Sequence, residues 1–273
     1  MLIKLIIAIA IFIILYLLLI MPKLRTNPDY AKLEGWYYAH RGLHNNRSDA
    51  PENSIKAFQL AVDNSYGIEL DVQLTKDDIP IVFHDYNLKR ACGVNLKTAE
   101  LTYDELRQYS LFNSKQHIPT LKEALECIGG QVPVIVELKI PWSAKKICKL
   151  VSKVLDDYKG VYCIETFNPF GLIWYRKNCP NVIRGQLASD FNKEHLEGSK
   201  MQYFILKHLL LNFQTKPDFI AFDHKYKKAL SFSLCRKLFK AKTAAWTIKS
   251  QKELDECSRY FDLFIFDSFI PKE

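Results

Sequence analysis

Histidines, basic groups and carboxylates recur at chemically useful spacings in a few short stretches of this 273-residue chain. "AHRG" places His40 and Arg41 directly after an apolar-aromatic run, and Glu52 follows in "PENS". In "IELDVQLT", Glu69 and Asp71 stand two apart, so on a strand both project from one face. "IVFHD" adds His84. Only six residues separate Leu74 from Ile81, and a parallel crossover needs about a dozen, so these runs are expected to pair as a hairpin. A turn centred on Asp77-Asp78 would set Asp71 opposite His84. Two carboxylates and an imidazole held together make a hard-metal or acid–base site; the alternative is a charged surface hairpin. "VIVELKI" carries Glu137 and Lys139 two apart at the end of an apolar strand. Charges there are costly unless paired with each other or with a ligand.

The elements that must position these groups alternate. Strand patterns occupy residues 36–39, 68–74, 81–84, 132–139, 161–167, 182–187, 219–222, 243–248 and 263–266, mostly separated by helical patterns. Mostly apolar strands alternating with helices predict a parallel sheet covered by helices. About eight units fit a closed (β/α)8 TIM-type barrel of the α/β class, with the ninth strand absorbed by the hairpin; an open doubly wound sheet is the alternative. His40, Glu137 and Lys139 fall at strand C-termini, which in a barrel face the active-site mouth. No glycine-rich dinucleotide or P-loop signature follows the first strand.

Hydrophobic residues make up 48% of the chain, which excludes global disorder. The net charge of +8 suits an anionic substrate or membrane surface, and no nucleic-acid footprint of interleaved basic and aromatic residues stands out. The seven cysteines form no CxxC pair and read as free thiols in a reducing compartment.

Leu5 to Met21 is a seventeen-residue run without charge, near the short limit of about 17–25 residues for a membrane span. No small-residue cleavage site follows, so residues 1–21 read as an uncleaved single-pass anchor, residues 22–34 as a linker and residues 35–273 as the barrel domain. Lys23, Arg25 and Lys32 against Lys4 place that domain on the cytoplasmic side. The run from Met201 to Phe213 contains no acid and is too short to span a bilayer. It reads as one helix, either buried between neighbours or lying on the lipid surface.

"AHRG", "PENS", "IELDVQLT", "IVFHD", "IPTLKEAL" and "VIVELK", in this order, resemble the glycerophosphodiester phosphodiesterase family over roughly Tyr37 to Phe269. The resemblance implies a (β/α)8 barrel using one divalent cation, Mg2+ or Ca2+, to cleave glycerophosphodiesters to glycerol 3-phosphate and an alcohol. It implies His40 and His84 as acid and base, and Glu69, Asp71 and Glu137 as cation ligands. Arg41 and Lys139 would contact phosphate, Glu52 would support the cluster, and Trp246 would line the substrate pocket. The alternatives are a silent phospholipid-binding barrel and a phospholipase C- or D-like lipid hydrolase. The sequence departs from the family pattern with Asp77-Asp78 in place of Asp-Gly, "WTIK" in place of "WTVN", and "FDSFIP" in place of Thr-Asp-x-Pro. His44 stands close enough to reach the mouth. His117, His195, His208 and His224 belong to no motif and read as structural or exposed.

Overall fold

A computed structural model describes residues 1–25, 27–141, 143–190 and 199–272. Helix α1 (Leu2–Ile20) precedes strand β1 (Tyr37–His40), α2 (Ile55–Asp63), β2 (Gly67–Leu74) and β3 (Pro80–Val82). Two short helices, α3 (Lys89–Cys92) and α4 (Tyr103–Leu106), lead to α5 (Leu121–Ile128) and β4 (Val134–Leu138). Then come α6 (Ala144–Asp156), β5 (Tyr162–Thr166), α7 (Pro169–Asn178), β6 (Arg184–Ala188), α8 (Lys200–Lys207) and α9 (Asn212–Thr215). The chain closes with β7 (Phe219–Asp223), α10 (Leu230–Lys237), β8 (Lys242–Ile248), α11 (Gln251–Cys257) and β9 (Leu263–Phe266).

The parallel order β1-β9-β8-β7-β6-β5-β4-β2 closes through β1–β2 into the expected barrel. The period of two along each strand sorts its side chains. Tyr38, Ile135, Cys163, Leu187, Phe219, Ala221, Ala244, Leu263 and Ile265 fill one core cluster. The alternate residues Ala39, Ile68, Leu70, Val136, Ile164, Ile220 and Ala245 belong to the cluster shared with the surrounding helices. Caps fix where the helices start. Ser54 accepts from the Ala57 amide at 3.1 Å, and Thr120 with Glu123 closes a capping box on α5.

The β2–β3 hairpin forms, but in a register shifted by one residue from the expectation. Leu74 pairs with Pro80 and Val72 with Val82, so the turn centres on residue 77 and Asp71 faces Phe83 rather than His84. Thr75 sets this register, because its hydroxyl accepts from the Ile79 amide at 2.9 Å and its carbonyl from the Asp78 amide at 3.1 Å. Asp78 takes the left-handed conformation at φ 67°.

Helix α1 is long and apolar enough to cross a membrane, with mean hydropathy 3.1. Its last turn belongs to the barrel: Ile20 is fully buried, and its carbonyl accepts from Asn212 Nδ2 at 3.0 Å and Cys235 Sγ at 3.3 Å. The following segment is no free spacer. Lys23 pairs with Asp218, and the 3-10 turn Pro28–Leu33 buries Tyr30 and Leu33 among the cluster that holds Tyr38 and Phe219. The run from Met201 to Phe213 is not one helix either. A left-handed Leu209 at φ 56° separates α8 from α9. Leu209 and Asn212 are buried, whereas Met201 and Phe204 are exposed. All seven cysteines are free.

Candidate active site

Strand register brings the chemical residues into one layer at the C-terminal ends. His40 lies beside Glu69, Asp71 beside Glu137, and Glu137 beside Glu165. They surround a cavity of about 130 Å³ lined by His40, Arg41, Glu69, His84, Glu137 and Lys139 on one side and by Glu165, Phe167, Leu187 and Trp246 on another. A larger hollow of about 430 Å³ beside α5 and α6 gathers only residues such as Lys122, Glu126, Lys153 and Tyr158, away from this layer.

Glu69, Asp71 and Glu137 are buried, and one ligand atom from each lies within 4.8 Å of the others. Burial, then repulsion from Asp71, Glu137 and Glu165, pushes the Glu69 carboxyl well above its ordinary range. Burial opposes the charge on Asp71 too, but Lys139 and Arg41 outweigh it and keep Asp71 ionised. Lys139 Nζ bridges Asp71 at 2.9 Å and Glu137 at 2.6 Å. Glu69 Oε1 has no hydrogen-bond partner. Crowded oxygen donors with an orphaned buried carboxylate atom fit a hard divalent cation, which would offset that repulsion.

Arg41 sits at φ 59°, a left-handed conformation, and Gly42 follows at φ 82°. A Cβ on Gly42 would approach the Ala57 backbone to 2.9 Å, so only glycine lets α2 pack this closely. The turn aims the Arg41 amide at Glu69 (3.1 Å) and its guanidinium at Glu52 (2.7 Å) and Asp71 (3.2 Å). Glu52 is buried and receives a bidentate fork from Arg90 at 2.8 and 2.7 Å, plus Asn46 at 2.8 Å. Burial works against its charge, but Arg90, Arg41 and Asn46 hold it down at about 2.

Each candidate histidine is held by its own carboxylate. His40 Nδ1 lies 3.2 Å from Asp267 Oδ2, and His84 Nδ1 lies 2.6 Å from Asp85 Oδ1. Because an ionised carboxylate only accepts, these contacts place a proton on each Nδ1 and leave each Nε2 to face the substrate. Burial pushes His40 down to about 4 against the pull of Asp267, so it is neutral at pH 7. His40 and His44 hold Asp267 well below the carboxylate range, despite its burial. His84 and Arg90 do the same for Asp85.

Residues 40–183 match the Glycerophosphoryl diester phosphodiesterase family. The chain belongs to that family. Among similar proteins, bovine Glycerophosphodiester phosphodiesterase 1 is 28% identical over 178 residues, 60% of this chain and 52% of that one. Mouse Lysophospholipase D GDPD1 is 31% identical over 157 residues, 53% of this chain and 48% of that one. The chain thus spans about half the length of the curated relatives it matches. An Oleispira antarctica phosphodiesterase, solved with its product sn-glycerol-3-phosphate, has the same fold at a TM-score of 0.69. It is 23% identical, with 87% of this chain and 94% of that one covered.

All nine residues expected in the site, His40, Arg41, Glu52, Glu69, Asp71, His84, Glu137, Lys139 and Trp246, stand in or directly behind this layer. His44 does reach it, with Nε2 at 3.4 Å from Asp267. His117 is exposed, His208 packs on Phe204, and His224 is buried near Glu253. His195 lies outside the described residues. Sequence reasoning missed Asp85, Arg90, Glu165 and Asp267. A signal existed for three of them: Asp85 adjoins His84, and Glu165 and Asp267 are acids at the C-terminal ends of apolar strands.

Proposed function

We propose that this chain is a membrane-anchored, divalent-cation-dependent phosphodiesterase. Its substrates are glycerophosphodiesters, or lysophospholipids through their head groups, which it cleaves to a glycerol phosphate and an alcohol. The observation that carries this reading is one cavity bounded by three converging carboxylates and two histidines, each imidazole oriented by a separate acid. Glu69, Asp71 and Glu137 would hold the cation, which when bound neutralises charge on the phosphoryl oxygens. Arg41 and Lys139 offer the phosphate a planar fork and a point charge.

His40, neutral at pH 7, accepts the proton of the attacking hydroxyl at Nε2. That hydroxyl belongs to water or to the substrate's own glycerol. As the new P–O bond forms, the bond to the head-group oxygen breaks, and His84 gives that oxygen its proton. Asp267 accepts from His40 Nδ1–H and leaves its Nε2 bare to take the proton, while Asp85 accepts from His84 Nδ1–H and supports the doubly protonated ring that donates from Nε2. Attack by the substrate's hydroxyl leaves a cyclic phosphate, which water then opens with the two proton transfers reversed. Helix α1 fits a single-pass anchor. The free thiols, together with Lys23, Arg25 and Lys32 just beyond it, support a domain on the cytoplasmic side.

The test is choline release from glycerophosphocholine by the full chain in detergent, after chelation and after return of Mg2+ or Ca2+. Chelation and Asp71→Asn should each abolish most release, and the returned cation should restore only the unaltered chain. Undiminished release in chelator, or none with either cation, overturns the reading.

A further inference from the structure

Helix α1 is held by the barrel more firmly than a tether needs. Asn212 of α9 and Cys235 of α10 both bind the Ile20 carbonyl, and the Met21 carbonyl accepts from Lys216 Nζ at 3.1 Å. One turn earlier, Tyr16 and Leu17 pack half-buried against the cluster beneath the helices. Upstream of Tyr16 every residue of α1 is exposed, so only Leu2 to Leu15 stands clear of the barrel. Fourteen helical residues extend about 21 Å, whereas a bilayer's hydrocarbon core is about 30 Å thick. Tilting the helix would only widen that gap. The missing 9 Å or so is supplied if the barrel surface around the last turn enters the interface, where amphipathic surfaces settle about 5–10 Å deep.

The side chains at that place suit the interface. Leu24 follows the last turn, Phe213 adjoins Asn212, and Leu238 lies three residues beyond Cys235; all three are exposed. Arg25, Lys237 and Lys240 are exposed next to them in the chain. Residues 22–28, 199–217 and 224–240, which hold or follow the last turn, carry eleven Lys or Arg and no Asp or Glu, although the whole chain has a net charge of only +8. Lys23, Lys207 and Lys227 are met by acids from neighbouring segments. Apolar side chains among basic ones match a phospholipid surface with anionic head groups. Resting on the anchor in the reading above, we propose that Leu24, Phe213 and Leu238 form a collar that seats the barrel in the bilayer around α1. The domain is then fixed against the membrane rather than swinging from a linker.

The experiment places the photo-crosslinker benzoylphenylalanine, one position at a time, at Leu24, Phe213 or Leu238 of the full chain in vesicles of phosphatidylcholine and phosphatidylglycerol. Tyr86 is the control position: it is exposed on the loop after β3, and β3 pairs with β2, which lies across the barrel from β7. After irradiation, mass spectrometry should find at least about tenfold more phospholipid adduct at each collar position than at Tyr86. Three separate positions keep the proposal testable if one variant does not fold. Retention of the chain through alkaline carbonate washing shows that the anchor is in place. A retained chain with equal adduct at collar and control, or with adducts to a second copy of the chain in place of lipid, overturns the collar alone. A chain that washes out defeats the anchor and the collar with it.

Discussion

Glu52 makes no contact with the cation cluster, yet its charge organises Arg41 and Arg90, so Glu52→Gln tests the electrostatic account of the site. Its side chain is 7% exposed and bound by two guanidinium groups and Asn46. A carboxyl brought from 4.5 in the unfolded chain to about 2 in the fold is worth about 3.4 kcal/mol once ionised in both states. The folded value is the lower one, so this stability is present above pH 4.5 and is lost as the pH falls through 2. At pH 3 the same linkage leaves about 1.4 kcal/mol. Urea unfolding of the full chain in detergent should therefore show Glu52→Gln costing roughly 3 kcal/mol at pH 7 but only about half as much at pH 3. A cost that is the same at both pH values would refute the reasoning, because lost packing or an unpaired arginine does not titrate in that window.

Replacing His40 or His84 with alanine should lower turnover by about 10²–10⁴-fold while leaving melting near that of the unaltered chain, as expected for proton transfer. Normal turnover in either variant would remove that histidine from the mechanism. A chain beginning at residue 22 should be less stable than one beginning at residue 16 by about 2 kcal/mol or more, because the shorter chain loses the buried Ile20 and the carbonyl that Asn212 and Cys235 bind. Equal urea midpoints for the two chains would mean that the last turn of α1 contributes nothing to the barrel.

The barrel and most of its site were legible in the sequence because their determinants are local. Apolar strands alternating with helical patterns specify a closed parallel sheet, and a spacing of two sends Glu69 with Asp71, and Glu137 with Lys139, to one face. What remained was decided by contacts that exist only once the chain has closed. The hairpin register turned on one side-chain bond, from the Ile79 amide to Thr75, and a loop centred one half-residue away would have reversed the facing of β3. Asp267 reaches His40 across 227 residues, because parallel β9 lies beside β1 only in the closed barrel. Arg90 finds Glu52 across 38 residues, and Asn212 caps Ile20 across 192. No periodicity encodes such pairs. Each buried polar atom takes whichever partner the fold carries within reach, and burial makes that partner worth far more than it would be in water.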